Sequence, residues 1–176
     1  TRGPAPWLAL VAEWDRRMAS RAALLVRARA GWWTAWLLAR SGDSYWWLAA
    51  GLFLWWRGDD FWRGFGLRIL AVTLVAGLAS GILKWLFKRG RPEGGTVLPV
   101  FALDRHSFPS GHATRTTALV VVLGAMVPLP RALVLALWVL SVGVSRVALG
   151  AHYASDIVAG WILGVSVGGV VLALWS

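Results

Sequence analysis

Residues 65–87 read FGLRILAVTLVAGLASGILKWLF, an apolar run interrupted only by Arg68 and Lys84. As a helix, such a run crosses the roughly 30 Å hydrocarbon core of a bilayer, for which about 20 residues suffice. Both cations fall near its ends, where long side chains can snorkel to the headgroups and extend the span. Working outward, further apolar runs occupy 44–56, 113–127, 132–144 and 157–175, separated by short polar or Gly/Pro-containing joints. The pattern predicts an all-α, integral-membrane helical bundle with five spans.

Composition agrees. The 176 residues suffice for one compact unit; 58% are apolar and only 15% charged, against about 25% charged in an average soluble domain. Fourteen Trp are present, and pairs such as Trp32-Trp33, Trp46-Trp47 and Trp55-Trp56 suit the zone between lipid tails and headgroups. The formal net charge is +10, which fits anionic headgroups or a phosphorylated substrate. Nucleic acid is a poor partner, because the basic residues flank apolar runs rather than forming an exposed stripe. Without cysteine, disulfides, thiolate catalysis and Cys-ligated metals are excluded. The opening Thr1-Arg2-Gly3-Pro4 lacks a signal-peptide pattern, and the missing initiator Met suggests trimming.

The N-terminal region reads differently. Between residues 7 and 38, Arg16, Arg17, Arg21, Arg27 and Arg29 interrupt an Ala/Leu/Trp-rich helical pattern, as expected of an amphipathic helix lying in the membrane interface. A sixth span around 30–38 is the alternative, giving five or six in all. The chain is accordingly expected to divide into an interfacial region, 1–43, and a transmembrane catalytic domain, 44–176. Pro128-Leu129-Pro130 marks a tight turn between antiparallel helices, and 89–109, rich in Gly and Pro, a structured surface loop.

Three stretches carry residues that a lipid-embedded helix would otherwise avoid. In the first, Lys84 closes a span and Arg91-Pro92 follows it; a point-charge ammonium and a forked guanidinium together suit a phosphoryl group, though a plain basic flank would look similar. In the second, Pro109-Ser110-Gly111-His112 opens a helix whose first-turn N–H groups could hold an anion beside His112; the bland reading is a Ser cap with an incidental His. In the third, Ser145-Arg146 precedes His152 and Asp156, which are four residues apart and share a helix face. A carboxylate on one imidazole nitrogen leaves the other to attack phosphorus. Counting antiparallel spans puts all three stretches at one end of the bundle.

Lys84 with Arg91-Pro92, Pro109-Ser110-Gly111-His112, and Ser145-Arg146 with His152 and Asp156 resemble the three-part signature of the type-2 phosphatidic acid phosphatases, PAP2. The resemblance implies that His152 is the nucleophile forming a phosphohistidine, that Asp156 orients it, and that His112 protonates the leaving oxygen and later activates water. Lys84, Arg91, Ser110, Gly111 and Arg146 would bind the phosphate. No metal or other cofactor is implied, and Asp104 and Asp156 read as isolated carboxylates rather than a ligand cluster. The run from Ser107 to Arg115 is similar to the polyisoprenoid diphosphate phosphatase branch.

The expected activity is therefore hydrolysis of the terminal phosphate of a membrane lipid: an isoprenyl diphosphate, phosphatidylglycerol phosphate or phosphatidic acid. Lipid-to-lipid phosphotransfer by the same site is the alternative, followed by non-catalytic binding of an anionic lipid. The expected partners are the bilayer and the lipid phosphate, with no nucleic acid and no obligatory protein. Basic residues outside the expected site divide evenly, Lys88, Arg89 and Arg105 on its side against Arg57, Arg63 and Arg131 opposite, so charge assigns no orientation. The resemblance favours the outer face of a bacterial inner membrane, or a lumenal face in a eukaryote.

Overall fold

The computed structural model describes residues 5–93 and 106–175; Asp104, Arg105 and most of the expected surface loop lie outside them. Among the described residues seven α-helices follow one another: α1 Pro6–Ala23, α2 Arg29–Ser41, α3 Ser44–Arg57, α4 Asp60–Phe87, α5 Gly111–Gly124, α6 Leu129–Ala148 and α7 Ala154–Leu174. Each of the five expected apolar runs is a helix. The long ones, α4, α6 and α7, have the length and hydropathy to cross a membrane, whereas α3 and α5 have 14 residues each. The protein is an integral-membrane helical bundle.

The helices outrun the apolar text where polar residues have partners. α4 starts five residues earlier than expected because Asp59 caps it, its carboxylate accepting from Trp62 N at 3.0 Å. α6 continues through Ser145 and Arg146 because both are buried against the bundle. At its end Gly150 adopts φ 67°. Ala151 N then donates to Arg146 O at 3.0 Å and Gly150 N to Val147 O at 2.9 Å, a Schellman closure that turns the chain sharply into His152.

α5 and α7 approach at backbone distance. A Cβ on Gly160 would come within 2.8 Å of Ser110 O, and one on Gly164 within 2.5 Å of Thr114 O. These glycines let α7 lie directly on the first turns of α5, which holds its N-terminus against the start of α7. Ile69, Val72, Ala76, Leu119, Val122 and Val171 form the main apolar core, so α4, α5 and α7 make one rigid unit.

The N-terminal region departs from the single interfacial helix expected. It forms two helices separated by the 3-10 turn Leu24–Val26 and an extended Ala28. Gly31 permits this corner, since any Cβ there would collide with the carbonyl of Leu25. α1 does expose an apolar face, with Trp7 and Leu10 the most prominent, but the one residue it buries is Asp15.

Candidate active site

The site lies where α4, α5 and α7 start or end together, and all three polar stretches meet there. Lys84 does not snorkel outward as its position suggested. It is buried, and its Nζ donates to His106 O at 3.1 Å. Arg91 follows the end of α4 and sends Nη1 to Ala151 O at 2.7 Å, next to His152. Ser107 N donates to Arg89 O at 2.8 Å and Ser107 Oγ to Gly90 O at 2.9 Å, so the two ends of the long loop are fastened to each other.

Ser110 is the N-cap of α5, its hydroxyl accepting from Ala113 N at 3.4 Å. Its own N–H donates to Asp156 O at 3.0 Å, which joins the second stretch to the third. Gly111 opens the helix, and His112 is buried one residue later. Arg146, in the last turn of α6, is buried almost completely, and its charge together with that of Lys84 reaches both imidazoles.

His152 sits in the joint between α6 and α7, with Nδ1 3.5 Å from Asp156 Oδ2. That separation is long for a hydrogen bond, as is common in catalytic pairs without substrate. Burial lowers the His152 pKa to about 3; the Asp156 carboxylate opposes the shift, and Arg146, Lys84 and Arg91 reinforce it. A neutral imidazole is the nucleophilic form.

Asp156 has anchors besides His152. Its Oδ2 accepts from Tyr153 N at 2.9 Å in a capping box, and its Oδ1 accepts from Arg89 Nη1 at 2.8 Å. Arg89 lies over the Tyr153 ring, 4.1 Å from its centroid, and its Nη2 donates to Asp15 Oδ2 at 2.8 Å. Asp15 in turn accepts from Ser155 N at 2.8 Å and Ser155 Oγ at 2.7 Å. A helix on the surface of the bundle thus caps α7 and braces the carboxylate behind His152.

His112 has a carboxylate of its own: Nε2 lies 2.8 Å from Asp43 Oδ1. The eight residues singled out by the sequence reading lie together at this end of the bundle; Asp43 and Asp15 were not among them, and Arg89 was left in the general basic flank. No local signal marks Asp43, which is 69 residues from His112. Asp15 carried a faint one, an acid in a basic amphipathic helix. Among the described residues no three His, Asp or Glu side chains group as metal ligands would. Beside the start of α7, between α1 and α6, runs an almost wholly apolar groove of about 360 Å³ lined by residues including Trp14, Met18, Val147, Ala154 and Trp161.

The chain is similar to known proteins in sequence and in fold. A family model described as the PAP2 superfamily matches residues 65–176. A decaprenylphosphoryl-5-phosphoribose phosphatase of Mycobacterium tuberculosis is 38% identical over 102 residues, covering 57% of this chain and 56% of the relative. A lipid A 1-phosphatase of Rhizobium etli is 27% identical over 152 residues, covering 73% of this chain and 64% of that relative. The chain therefore spans less than two thirds of the length of these relatives. Among solved structures, a transmembrane PAP2-type phosphatidylglycerolphosphate phosphatase from Bacillus subtilis superimposes with a TM-score of 0.74 at 24% identity, over 94% of this chain and 86% of the other. LpxE of Aquifex aeolicus gives 0.72 at 21% identity, over 92% and 93%.

Proposed function

This chain belongs to the PAP2 superfamily, and on that premise we propose that it hydrolyses the terminal phosphate of a membrane lipid without a metal, through a phosphohistidine on His152. The observation that carries the proposal is the His152–Asp156 contact of 3.5 Å set among Lys84, Arg91 and Arg146. In the first half-reaction Nε2 of His152 attacks phosphorus as the bond to the leaving oxygen breaks. Asp156 steadies the Nδ1–H that becomes part of a cation, and His112 gives a proton to the departing lipid oxygen. Water then attacks the phosphohistidine, giving its proton to His112, and phosphate leaves with His152 restored. Lys84, Arg91 and Arg146, with Ser110 and the N–H groups that follow it, take the charge that develops on the equatorial oxygens.

The relatives named as lipid phosphatases and the apolar groove at the start of α7 support a lipid substrate, whose chain the groove can take. The polyprenyl relative, at 38% identity, supports an isoprenyl phosphate or diphosphate ahead of phosphatidylglycerol phosphate or phosphatidic acid. Residues 44–176 form the catalytic domain in this reading and 1–43 a bracing region at the interface. The site faces outward from a bacterial inner membrane.

The test is phosphate release by detergent-purified wild type and His152→Ala, with EDTA, across those three substrate classes. Release by wild type alone, with trapping of ³²P on the protein at acid-labile, base-stable nitrogen, is the expected result. Phosphate appearing on a second lipid instead of in solution makes the chain a phosphotransferase; release that EDTA abolishes overturns the mechanism. Vanadate, which adopts the geometry of five-coordinate phosphorus, is expected to inhibit.

A further inference from the structure

Asp43 occupies the short joint between α2 and α3, remote in sequence from every motif. It stands at the N-cap position of α3, where an Asp side chain ordinarily accepts from the helix's own first turn. Here it makes no such cap bond. Its carboxylate, only 4% exposed, is turned the other way, with Oδ1 2.8 Å from Nε2 of His112. Oδ2 accepts from the Tyr45 hydroxyl at 2.9 Å and lies 3.3 Å from Nη1 of Arg40. Both oxygens are therefore held.

The joint itself is clamped. Gly42 O accepts from Arg115 Nη1 at 3.2 Å, and a Cβ on Gly42 would come within 3.2 Å of Cδ2 of His112. Trp138 Nε1 donates to Ser41 Oγ at 2.8 Å and Trp47 Nε1 to Ser41 O at 3.1 Å. The two indoles also pack against each other at a tilt of 51°, 5.4 Å between centroids, so α3 and α6 pin the residue two positions before Asp43. Three helices converge to present one carboxylate to one imidazole.

We propose that Asp43 is the positioning residue of the acid–base histidine, holding Nε2–H of His112 so that proton exchange with the substrate runs through Nδ1. This rests on the proposed function above. As the N–P bond to His152 forms and the P–O bond breaks, the Nδ1 proton of the His112 imidazolium moves to the leaving lipid oxygen, while Nε2–H stays on Asp43. In the second half-reaction Nδ1 takes the proton of the attacking water as the P–N bond breaks. Arg146, Arg115 and Lys84 surround His112 with positive charge. Asp43 supplies the opposing anion at contact distance. A carboxylate in this place also selects the tautomer, the role whose loss costs a catalytic triad most of its rate.

The leaving group separates this role from a structural one. An alkyl phosphate departs as a strongly basic alkoxide and needs its proton; p-nitrophenyl phosphate departs as a stable phenolate and does not. With both substrates in detergent, Asp43→Asn is expected to lower kcat/KM about 100-fold or more for the alkyl phosphate and under about tenfold for the aryl one, with KM little changed. His112→Ala is expected to show the same bias. Tyr45→Phe, which leaves the carboxylate but removes one of its anchors, is expected to lose a few-fold on the alkyl substrate alone, and it decides the matter where Asp43→Asn does not fold. Equal losses on both substrates, or none, in the Asp43 and Tyr45 variants overturn the assignment of Asp43. An unbiased His112→Ala overturns instead the acid–base reading on which it rests.

Discussion

The two imidazoles of the site are each backed by a buried carboxylate, but the carboxylates arrive by different routes. Asp156 follows His152 by four residues, but His152 lies in the joint before α7 rather than on the helix, and the pair is made by the way α7 begins: a capping box at Tyr153 and a Schellman closure before it. Asp43 reaches His112 across 69 residues of chain, delivered by the corner between α2 and α3. The local pair is the looser one, at 3.5 Å against 2.8 Å. Asp156 divides its lone pairs among Tyr153 N and Arg89 as well as His152. In the proposed mechanism the looser pair belongs to the nucleophile, whose ring must shift when it bonds to phosphorus, whereas an acid–base histidine returns to one position in both half-reactions.

The variants that probe this contrast fall in a clear order. His152→Ala removes the proposed nucleophile and is expected to cost at least about 10⁴-fold in phosphate release, leaving the level of the uncatalysed site. Asp156→Asn keeps the shape but offers the imidazole the wrong partner, and about 10³-fold in kcat is expected with the melting temperature in detergent nearly unchanged. A loss of Asp156 no larger than that of Asp43 would mean the two carboxylates are equivalent, and the contrast drawn here would fail. Arg89→Ala leaves Asp156 in place and releases its brace. Because the Arg89 side chain is 31% exposed, solvent screens the pair, and a drop of about tenfold is expected, matched by Asp15→Asn because both act through the same tie to α1. A full loss in Asp15→Asn would instead make α1 part of the chemistry.

The smallest effect is on pH. The His152 pKa is lowered from 6.5 to about 3 in the folded protein, so between those values the unfolded chain binds more protons than the folded one. Stability from this group is fully present above pH 6.5 and falls as the pH drops towards 3. Melting in detergent is expected to move down across that window in wild type, and less so in His152→Asn.

Much of this was legible before any coordinates. A run such as 65–87 can only be a buried or membrane helix, and Lys84, Arg91, Ser110, Gly111, His112, Arg146, His152 and Asp156 stand out because a helix in lipid has no use for them otherwise. Their convergence followed from the parity of antiparallel spans. Lys84 was read twice, as a snorkelling flank and as a phosphate ligand, and its burial with His106 O as acceptor excludes the first. Arg89 could not be told from Lys88 beside it, since two adjacent cations on a helix end look alike until one is seen to bridge Asp15 and Asp156.

Sequence alone determined the helical class and the membrane setting, because both depend on composition and periodicity, and it singled out the eight motif residues and the His152–Asp156 pair as candidates. Only the tertiary structure decided which carboxylate lies against His112, that α1 braces Asp156, and that the N-terminal region breaks in two at Gly31. Those facts depend on close approach between segments far apart in the chain: the glycine faces that let α7 lie on α5, and the indoles that hold the α2–α3 corner. Such contacts leave no periodicity in the sequence, because a single Asp at a helix start looks the same whether its carboxylate caps its own helix or turns to a histidine on another.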